Sequence, residues 1–468
     1  MAPDLTSGGP GAVVAVGTRP TGGRIEPVGP ARPGEPQLRW QSRANTIDDI
    51  EKELSRIWAQ PPIVLDAGQE GPVRPTAART SVMNLVVVAG DSETGARTAE
   101  TISRLTGRHP SRTIIVLLAD PDGPPWLDGR VQAHCMRPRP DAPESCTEMI
   151  FLTAGGETGR HLAALVTPLL VHDLPVTTWW PGEPPLTTEV ASEILEQTDR
   201  LVVDGSTWTS DGLRRLGQLA ALYDLHPRIS IRDFAFVRQS RWREAIATVF
   251  DLPDFLPYLG YVRRVAVTYG TRDETGAPGT TNVVKPLYHV AWLGSRLGMT
   301  VVSPLTPVAS KGPAPRLRPG EKPPLHRGLA AKLRDPRSGE VGVVVRPLAS
   351  TAPAGTTLRV EILAERRGSE LRADVTAEAE NVHVHAWLDG VEALDRTFKA
   401  PRRGDIDLLS EAIEGNSRDA VAMGALRMAA RLAGASSVPG DQAGGLPRPS
   451  GPALGRSQAA RQNEENRP

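Results

Sequence analysis

The chain has 468 residues, with 54 basic and 54 acidic side chains and a pI near 7.2. That length holds two or three domains of roughly 100–200 residues each. The cancelled charge argues against a protein that coats nucleic acid or an anionic membrane by bulk electrostatics. Two cysteines give no disulfide framework, which makes a reducing cytoplasm the expected setting. No apolar run approaches the roughly 20 residues of a bilayer span, and Ala12 to Val16 is too short for a signal-peptide core.

Residues 1–40 are rich in Gly, Pro, Thr and Arg without periodicity and read as disordered. Thr46 opens a helix whose Ile47, Ile50, Leu54 and Ile57 share one side, with Asp49 in a shortened capping box. After a polar connector to about Ala78 comes a strand at Val82–Ala89. The GDSETG loop at 90–95 then leads to a helix from about Ala96 to Thr106, and a strand follows at Thr113–Leu118. This β-α-β spacing predicts parallel strands. Shorter strands at Val131–Met136 and Thr147–Leu152 flank RPRPDAPES, whose three prolines forbid regular structure. If the two pair antiparallel, Cys135 ends one and Cys146 begins the other.

From Gly159 the chain reads as an apolar helix bent or shortened by Pro168, a turn at His172–Pro175, then a strand ending in Trp179 and Trp180. Helices to about Gln197 and Tyr223 flank a strand at Leu201–Asp204. Another helix is expected at Arg241–Phe250, a strand at Tyr261–Tyr269 and a helix at Val284–Leu297. Val301 to about Arg327 reads as a Pro-rich connector. The period-two alternation from Val341 to Leu388 predicts an antiparallel sheet with one wet face. Asp405–Ala433 is a last helical segment, before a tail that reads as disordered. The fold class is α/β: N-terminal and central α/β regions with mostly parallel strands, then a smaller β-rich C-terminal region, between disordered tails.

The residues with chemical potential are few. Gly90–Gly95 fits G-x-x-x-x-G, but Ala96 and Arg97 stand where a phosphate loop needs Lys and Ser or Thr, so an ordinary βα turn is expected. The GGETG run at 155–159 lacks the dinucleotide spacing. His383 and His385 share a strand face, without a Cys or carboxylate at a diagnostic spacing in sequence, and read as surface histidines. His172–Asp173 has no nucleophile elbow to serve. Arg238, Arg241 and Arg243 cluster beside Trp242, with Arg263 and Arg264 beyond. They suit carboxylate or phosphate recognition, in competition with surface pairing to Glu244, Asp251 and Asp254. Cys135 and Cys146 form either a reducible pair or two free thiols. No catalytic, cofactor-binding or metal-ligating residue is assigned.

Several segments, in order, carry a resemblance: RTSVMNLVVVAG at 79–90, GRHPSRTIIV at 107–116, CTEMIFL at 146–152 and LLVHDLPVTTWWPG at 169–182. LVVDGSTW at 201–208, RWREAIATVFD at 241–251 and LYHVAWLGSRLG at 287–298 extend it. Together they resemble the glucose-6-phosphate dehydrogenase assembly protein family, OpcA, strongly over about 46–300 and loosely to about 400. The resemblance implies a non-catalytic partner that promotes the active oligomer of that dehydrogenase at the entry to the oxidative pentose phosphate pathway; the cytoplasmic setting is the expectation from the cysteines, and no cofactor is expected. In cyanobacterial relatives it also implies thioredoxin control through cysteines, which directs attention to Cys135 and Cys146. It divides the chain into an N-terminal α/β domain at 46–168 and a C-terminal assembly domain at 169–303. A linker at 304–327 and a β-rich extension with a helix at 328–433 follow, between tails at 1–40 and 434–468. Indole and guanidinium side chains most often anchor interfaces, so Trp179, Trp180, Trp208, Arg241 and Trp242 are the expected partner-binding residues. For the neighbouring Trp179 and Trp180, opposite faces of a strand put one in the core and the other at the surface or an interface. The competing reading is a sugar-phosphate- or nucleotide-binding sensor or enzyme with an arginine-lined crevice.

Overall fold

A computed structural model describes residues 23–24, 34–59, 81–119, 122–137, 139, 145–184, 186, 189–208, 212–272, 282–307, 328–378, 380–415 and 419–434. The expected disordered tails at 1–22, 25–33 and 435–468, the connector at 60–80 and the Pro-rich linker at 308–327 lie outside these described residues.

Among the described residues, nine strands form the first sheet: β1 (Gly23–Arg24), β2 (Gln37–Ala44), β3 (Met83–Ala89), β4 (Ser111–Leu118), β5 (Trp126–Met136), β6 (Ser145–Gly155), β7 (Val176–Trp180), β8 (Arg200–Val203) and β9 (Ser230–Asp233). Their spatial order is β1-β2-β5-β6-β4-β3-β7-β8-β9. From β6 to β9 every pair is parallel, whereas β1, β2 and β5 add antiparallel strands at one edge. The parallel part starts at β3, grows outward through β4 and β6, then returns to add β7, β8 and β9 on the other side. That is the doubly wound order, with its topological switch between β3 and β7. All seven residues of β3 are buried, as a central strand covered on both faces must be.

The buried Asn84 of β3 explains how the chain enters β7. Its side-chain amide donates to the carbonyls of Val171 (2.9 Å) and Leu174 (3.2 Å) and accepts from the Val171 amide (2.8 Å). One polar side chain in an apolar strand thus satisfies the turn that follows Pro168. The apolar stretch before that turn forms α3 (Gly156–Arg160), α4 (Leu162–Val166) and a 3-10 turn at Thr167–Leu169, the shortening expected of Pro168.

The other helices are α1 (Ile47–Ala59), α2 (Ser92–Leu105), α5 (Glu189–Glu196), α6 (Gly212–Leu225), α7 (Phe234–Val237), α8 (Ser240–Phe250), α9 (Val284–Arg296), α10 (Asp405–Glu414) and α11 (Ala420–Leu432). The Asp49 amide donates to Thr46 Oγ1 at 3.2 Å, so the expected cap of α1 is present.

Eight described strands form the second sheet: β10 (Val262–Thr271), β11 (Thr300–Pro307), β12 (Leu329–Asp335), β13 (Gly339–Ala349), β14 (Thr357–Arg366), β15 (Ser369–Glu378), β16 (Asn381–Leu388) and β17 (Val391–Lys399). Their order is β11-β12-β13-β10-β14-β15-β16-β17. Helices α8, α9 and α11 lie against this sheet. Buried and accessible residues alternate along β12 and β14 to β16, giving the expected wet face. That face carries ion pairs such as Arg359 Nε to Asp374 Oδ1 at 2.7 Å.

Several expectations need correction. Residues 37–40, expected in the tail, begin β2, because pairing with β5 supplies the backbone partners that a lone segment lacks. Helix α2 starts at Ser92, inside the expected loop, because Asp91 caps it. The connector from Val301 contains β11, an accessible edge strand whose prolines cost no interior ladder bond. The last helical segment is two helices. The second sheet reaches back into the expected central region: β10 lies inside it, paired parallel with β13 and antiparallel with β14. The first sheet likewise crosses the expected division at residue 168.

The GGETG glycines have a packing role. A Cβ on Gly155 would lie 2.2 Å from the Trp126 indole nitrogen. Gly156 has φ +57°, and its Cβ would lie 2.4 Å from the Gly123 carbonyl oxygen.

Candidate functional site

In doubly wound sheets ligands bind beyond the carboxyl ends of the strands. Three places stand at that edge: the turn after β3 and the tryptophans ending β7, both singled out in the sequence, and the acidic ends of β8 and β9.

The turn after β3 is occupied by the chain itself. Asp91 accepts from the Thr94 amide at 2.7 Å and from the Thr94 hydroxyl at 2.9 Å. These bonds hold its carboxyl below the usual range. A carboxylate therefore sits where a phosphate would meet the helix N-terminus, and it repels one.

Trp179 and Trp180 are both buried, 2% and 5% exposed, which corrects the expectation that one faces outward. β7 lies between β3 and β8 with both faces covered, so alternation sends the two indoles into two cores. Trp179 packs with Phe234, ring centroids 6.0 Å apart, and Trp180 belongs to the larger cluster on the other side. Trp208 is also core, and its Nε1 donates to the Gly182 carbonyl at 3.3 Å. Of the five expected contact residues, Arg241 is exposed and paired with Glu244 at 2.7 Å. Trp242 is half-buried against His289.

The ends of β8 and β9 carry a polar cluster that sequence reasoning resolved only in part. Asp204, just after β8, accepts from Arg238 Nη1 with both oxygens at 2.7 Å, and the same nitrogen reaches Ser206 Oγ at 2.7 Å. Asp233, ending β9, accepts from the amides of Gly205 and Ala235, both at 2.8 Å, and from the Tyr288 hydroxyl at 2.9 Å. Burial pushes its pKa up to about 6; the Gly205 amide opposes that and the neighbouring Asp204 adds to it. Burial also pushes Lys285 down to about 8, helped by Arg238, and Arg243 down to about 10. The aspartates after VV and SIR were the available signal; each ends a short apolar strand with an acid that can cap the next turn.

Arginines from both ends of these strands clamp α10 and α11: Arg200 opens β8 at its amino end, whereas Arg232 and Arg238 stand near the carboxyl edge. Arg200 donates to the Ile413 and Gly415 carbonyls at 2.5 and 3.0 Å. Arg232 meets Asp419 at 2.6 Å, and Arg238 meets Asp405 at 3.4 Å. Between them lies a cavity of about 290 Å³ whose lining includes Arg232, Phe236, Arg243, Glu411 and Asp419. Arg243 lies 3.8 Å over the Phe236 ring and donates to the Phe236 carbonyl at 2.6 Å. Two guanidiniums, Arg232 and Arg243, and three carboxyl side chains, Asp233, Glu411 and Asp419, line it, so the cavity suits a small polar molecule with both donors and acceptors.

Cys135 and Cys146 stand directly opposite each other on β5 and β6 and form a disulfide, Cα atoms 4.0 Å apart. The structure therefore pairs the two thiols rather than leaving them free, and both residues are buried. The sequence separation is 11 residues. Closing so short a loop contributes about 3 kcal/mol in the chain-entropy model. Thermal unfolding with and without reductant checks this: the reduced protein is expected to melt lower, and the C135A/C146A variant to be insensitive to reductant.

The class defined by this fold is a doubly wound α/β sheet joined to an eight-stranded sheet, with α10 packed beside α2 and α7 in the apolar cluster on one side of the first sheet. Residues 102–221 match the N-terminal domain, and residues 229–425 the C-terminal domain, of the family described as glucose-6-phosphate dehydrogenase subunit. The chain belongs to the OpcA family of glucose-6-phosphate dehydrogenase assembly proteins. A Synechocystis protein named putative OxPP cycle protein OpcA is 27% identical over 158 residues, 34% of this chain and 31% of the relative. Its Synechococcus elongatus namesake is 25% identical over 197 residues, 42% of this chain and 41% of the relative. The matches thus span a third to two-fifths of these relatives' length. A levoglucosan dehydrogenase in complex with NADH and levoglucosan aligns with TM-score 0.41 at 12% identity, covering 75% of this chain and 95% of that one. Likeness at that level carries no argument about activity. No described helix is long and apolar enough to cross a membrane.

Proposed function

We propose that this chain is a non-catalytic assembly factor and allosteric activator that binds glucose-6-phosphate dehydrogenase and promotes its active oligomer, in the cytoplasm, in support of the oxidative pentose phosphate pathway. The observation that carries the reading is at the switch point of the first sheet. The helix N-terminus that would receive a cofactor phosphate is capped by the chain's own Asp91, and the chain belongs to an assembly-protein family. An activator of this kind binds one oligomer or conformation of its partner better than the others, since only differential affinity moves an equilibrium.

The test is the rate of the cognate dehydrogenase across substrate concentrations, with sedimentation to follow its oligomer. Addition of this protein is expected to lower the apparent substrate requirement or raise the maximal rate, and to enlarge the oligomer. No effect on a competent enzyme removes the reading. Helix α8 is the proposed contact, because Arg241 is accessible on it beside Trp242. Arg241→Glu is expected to weaken activation at least about tenfold, the scale of a 1.4 kcal/mol interface loss. Its melting temperature should stay unchanged, since the exposed pair with Glu244 contributes little.

The cavity lined by Arg232 and Arg243 favours a second reading, a sensor of a small phosphorylated or nucleotide ligand. Saturable heat on titrating the isolated protein with glucose 6-phosphate or NADP supports it, and a flat titration removes it. Redox control through Cys135–Cys146, with thioredoxin as reductant, is a further part of the proposal. Because both cysteines are buried, reduction requires opening of the β5–β6 pairing. Activation identical before and after full reduction excludes it.

A further inference from the structure

The outward face of the β16–β17 hairpin carries a constellation that neither the assembly role nor the carboxyl-edge cluster uses. Residue pairing places His385 opposite Asp395 and Ala386 opposite Leu394, and then Trp387 opposite Glu392. Ala393 is therefore an extra residue, a β-bulge. Along a regular strand Glu392 and Asp395, three apart, point to opposite faces. The bulge cancels that alternation and turns Glu392 to the same face as Asp395, as bulges re-aim side chains elsewhere. Leu394, between them, is buried, which confirms that Asp395 faces outward.

The result is one imidazole nitrogen between two carboxylates. His385 Nδ1 lies 3.1 Å from Glu392 Oε1 and 3.8 Å from Asp395 Oδ1. All three donor atoms fall within 4.8 Å of one another. In a tetrahedral zinc site with bonds of about 2.0–2.1 Å, neighbouring donors lie about 3.3 Å apart. The two measured separations bracket that value. Trp387 stacks on the imidazole with centroids 5.8 Å apart and an interplanar angle of 16°, which steadies the ring. His383, two residues away, is engaged separately, by the Thr397 hydroxyl at 2.9 Å and by Glu378 of β15 at 3.2 Å.

We propose that His385, Glu392 and Asp395 form a divalent-cation site of the zinc class, with the remaining coordination position open to water. An imidazole with two carboxylates suits zinc and its first-row neighbours, whereas calcium and magnesium take all-oxygen shells. The two carboxylates also balance the charge of a divalent ion. β17 is the outermost strand of the second sheet, so a bound ion clips the sheet edge to its neighbour.

Isothermal titration of the full-length, metal-stripped protein with zinc chloride tests this. One site per chain is expected. His385→Gln should abolish it, and Glu392→Gln and Asp395→Asn should each weaken it by at least the roughly 10–100-fold that loss of an outer-shell partner costs. His383→Gln should leave it unchanged. Zinc should raise the melting temperature of the parent chain and of His383→Gln, but not of His385→Gln. These side chains are solvent-accessible, so the variants keep the fold and circular dichroism checks that. No saturable zinc heat, or equal affinity in all variants, overturns the proposal.

Discussion

Replacing Glu148 with alanine is expected to destabilise the fold by about 3–5 kcal/mol. Glu148 on β6 and Arg112 on β4 are direct neighbours in the parallel pairing, with Arg112 Nε 2.5 Å from Glu148 Oε2. The carboxylate side chain has no exposed surface, and the guanidinium has little. Arg112 also donates to the Leu169 carbonyl at 3.1 Å, tying this pair to the turn that leads into β7. Removal of the carboxylate leaves a cation in a low-dielectric interior, and that desolvation sets the size of the effect. Replacing both charges, Arg112→Met with Glu148→Leu, removes the desolvation term for each and should recover most of the loss. Denaturant unfolding of the single and double variants checks this; losses that simply add would show that the two charges do not act as a pair.

The second large effect is on acid stability. Burial pushes His289 down to about 3, with Arg243 and Lys285 adding to the shift, and pushes His134 down to about 4. In the unfolded chain both titrate near 6.5. Below that pH the unfolded state takes two protons that the folded state refuses. The stability these histidines contribute is whole above about 6.5 and is lost as the pH falls toward 4.

Asp233 acts in the opposite sense. Its folded pKa, about 6, lies above the unfolded value. The folded state therefore takes its proton first, and Asp233 returns stability as the pH falls through 6. Two histidines against one aspartate leave a net slope of about one proton, or about 1.4 kcal/mol per pH unit between 6 and 4. Melting curves at pH 7, 6 and 5 measure it. His289→Asn should flatten the slope, and Asp233→Asn should steepen it to about two protons. An unchanged slope in His289→Asn would remove the buried imidazole from the account.

Local chemistry is legible wherever a segment's own residues satisfy it. The Thr46 cap, the shortening at Pro168 and the period-two strands from Val341 all depend on neighbours within a few residues. The failed phosphate loop is also legible, since the missing lysine is a local fact. What occupies that turn is not, because Asp91 reads equally well as a loop residue and as a cap. The cysteines show the limit of register: the sequence allows an antiparallel pair only conditionally, and the strand pairing itself puts Cys135 opposite Cys146.

The candidate sites are least legible. Arg232 and Asp419, or Arg200 and Ile413, are some two hundred residues apart, and nothing local connects them. The histidines of β16 share a face by simple alternation, but the two carboxylates beside His385 come from the next strand through a bulge that composition does not announce. The burial of both Trp179 and Trp180 depends on β7 lying between β3 and β8, which strand order decides.

The sequence by itself thus determined the class of the chain, the existence and type of most helices and strands, and the family, since periodicity, caps and ordered motifs are local properties. Tertiary structure alone decided the doubly wound order, the reach of the second sheet back to Val262, the packing of α10 against α2 and α7 and the meeting of His385 with two carboxylates. Those features arise from hydrogen-bonded pairing and burial between segments distant in the chain, whose energies no local window contains.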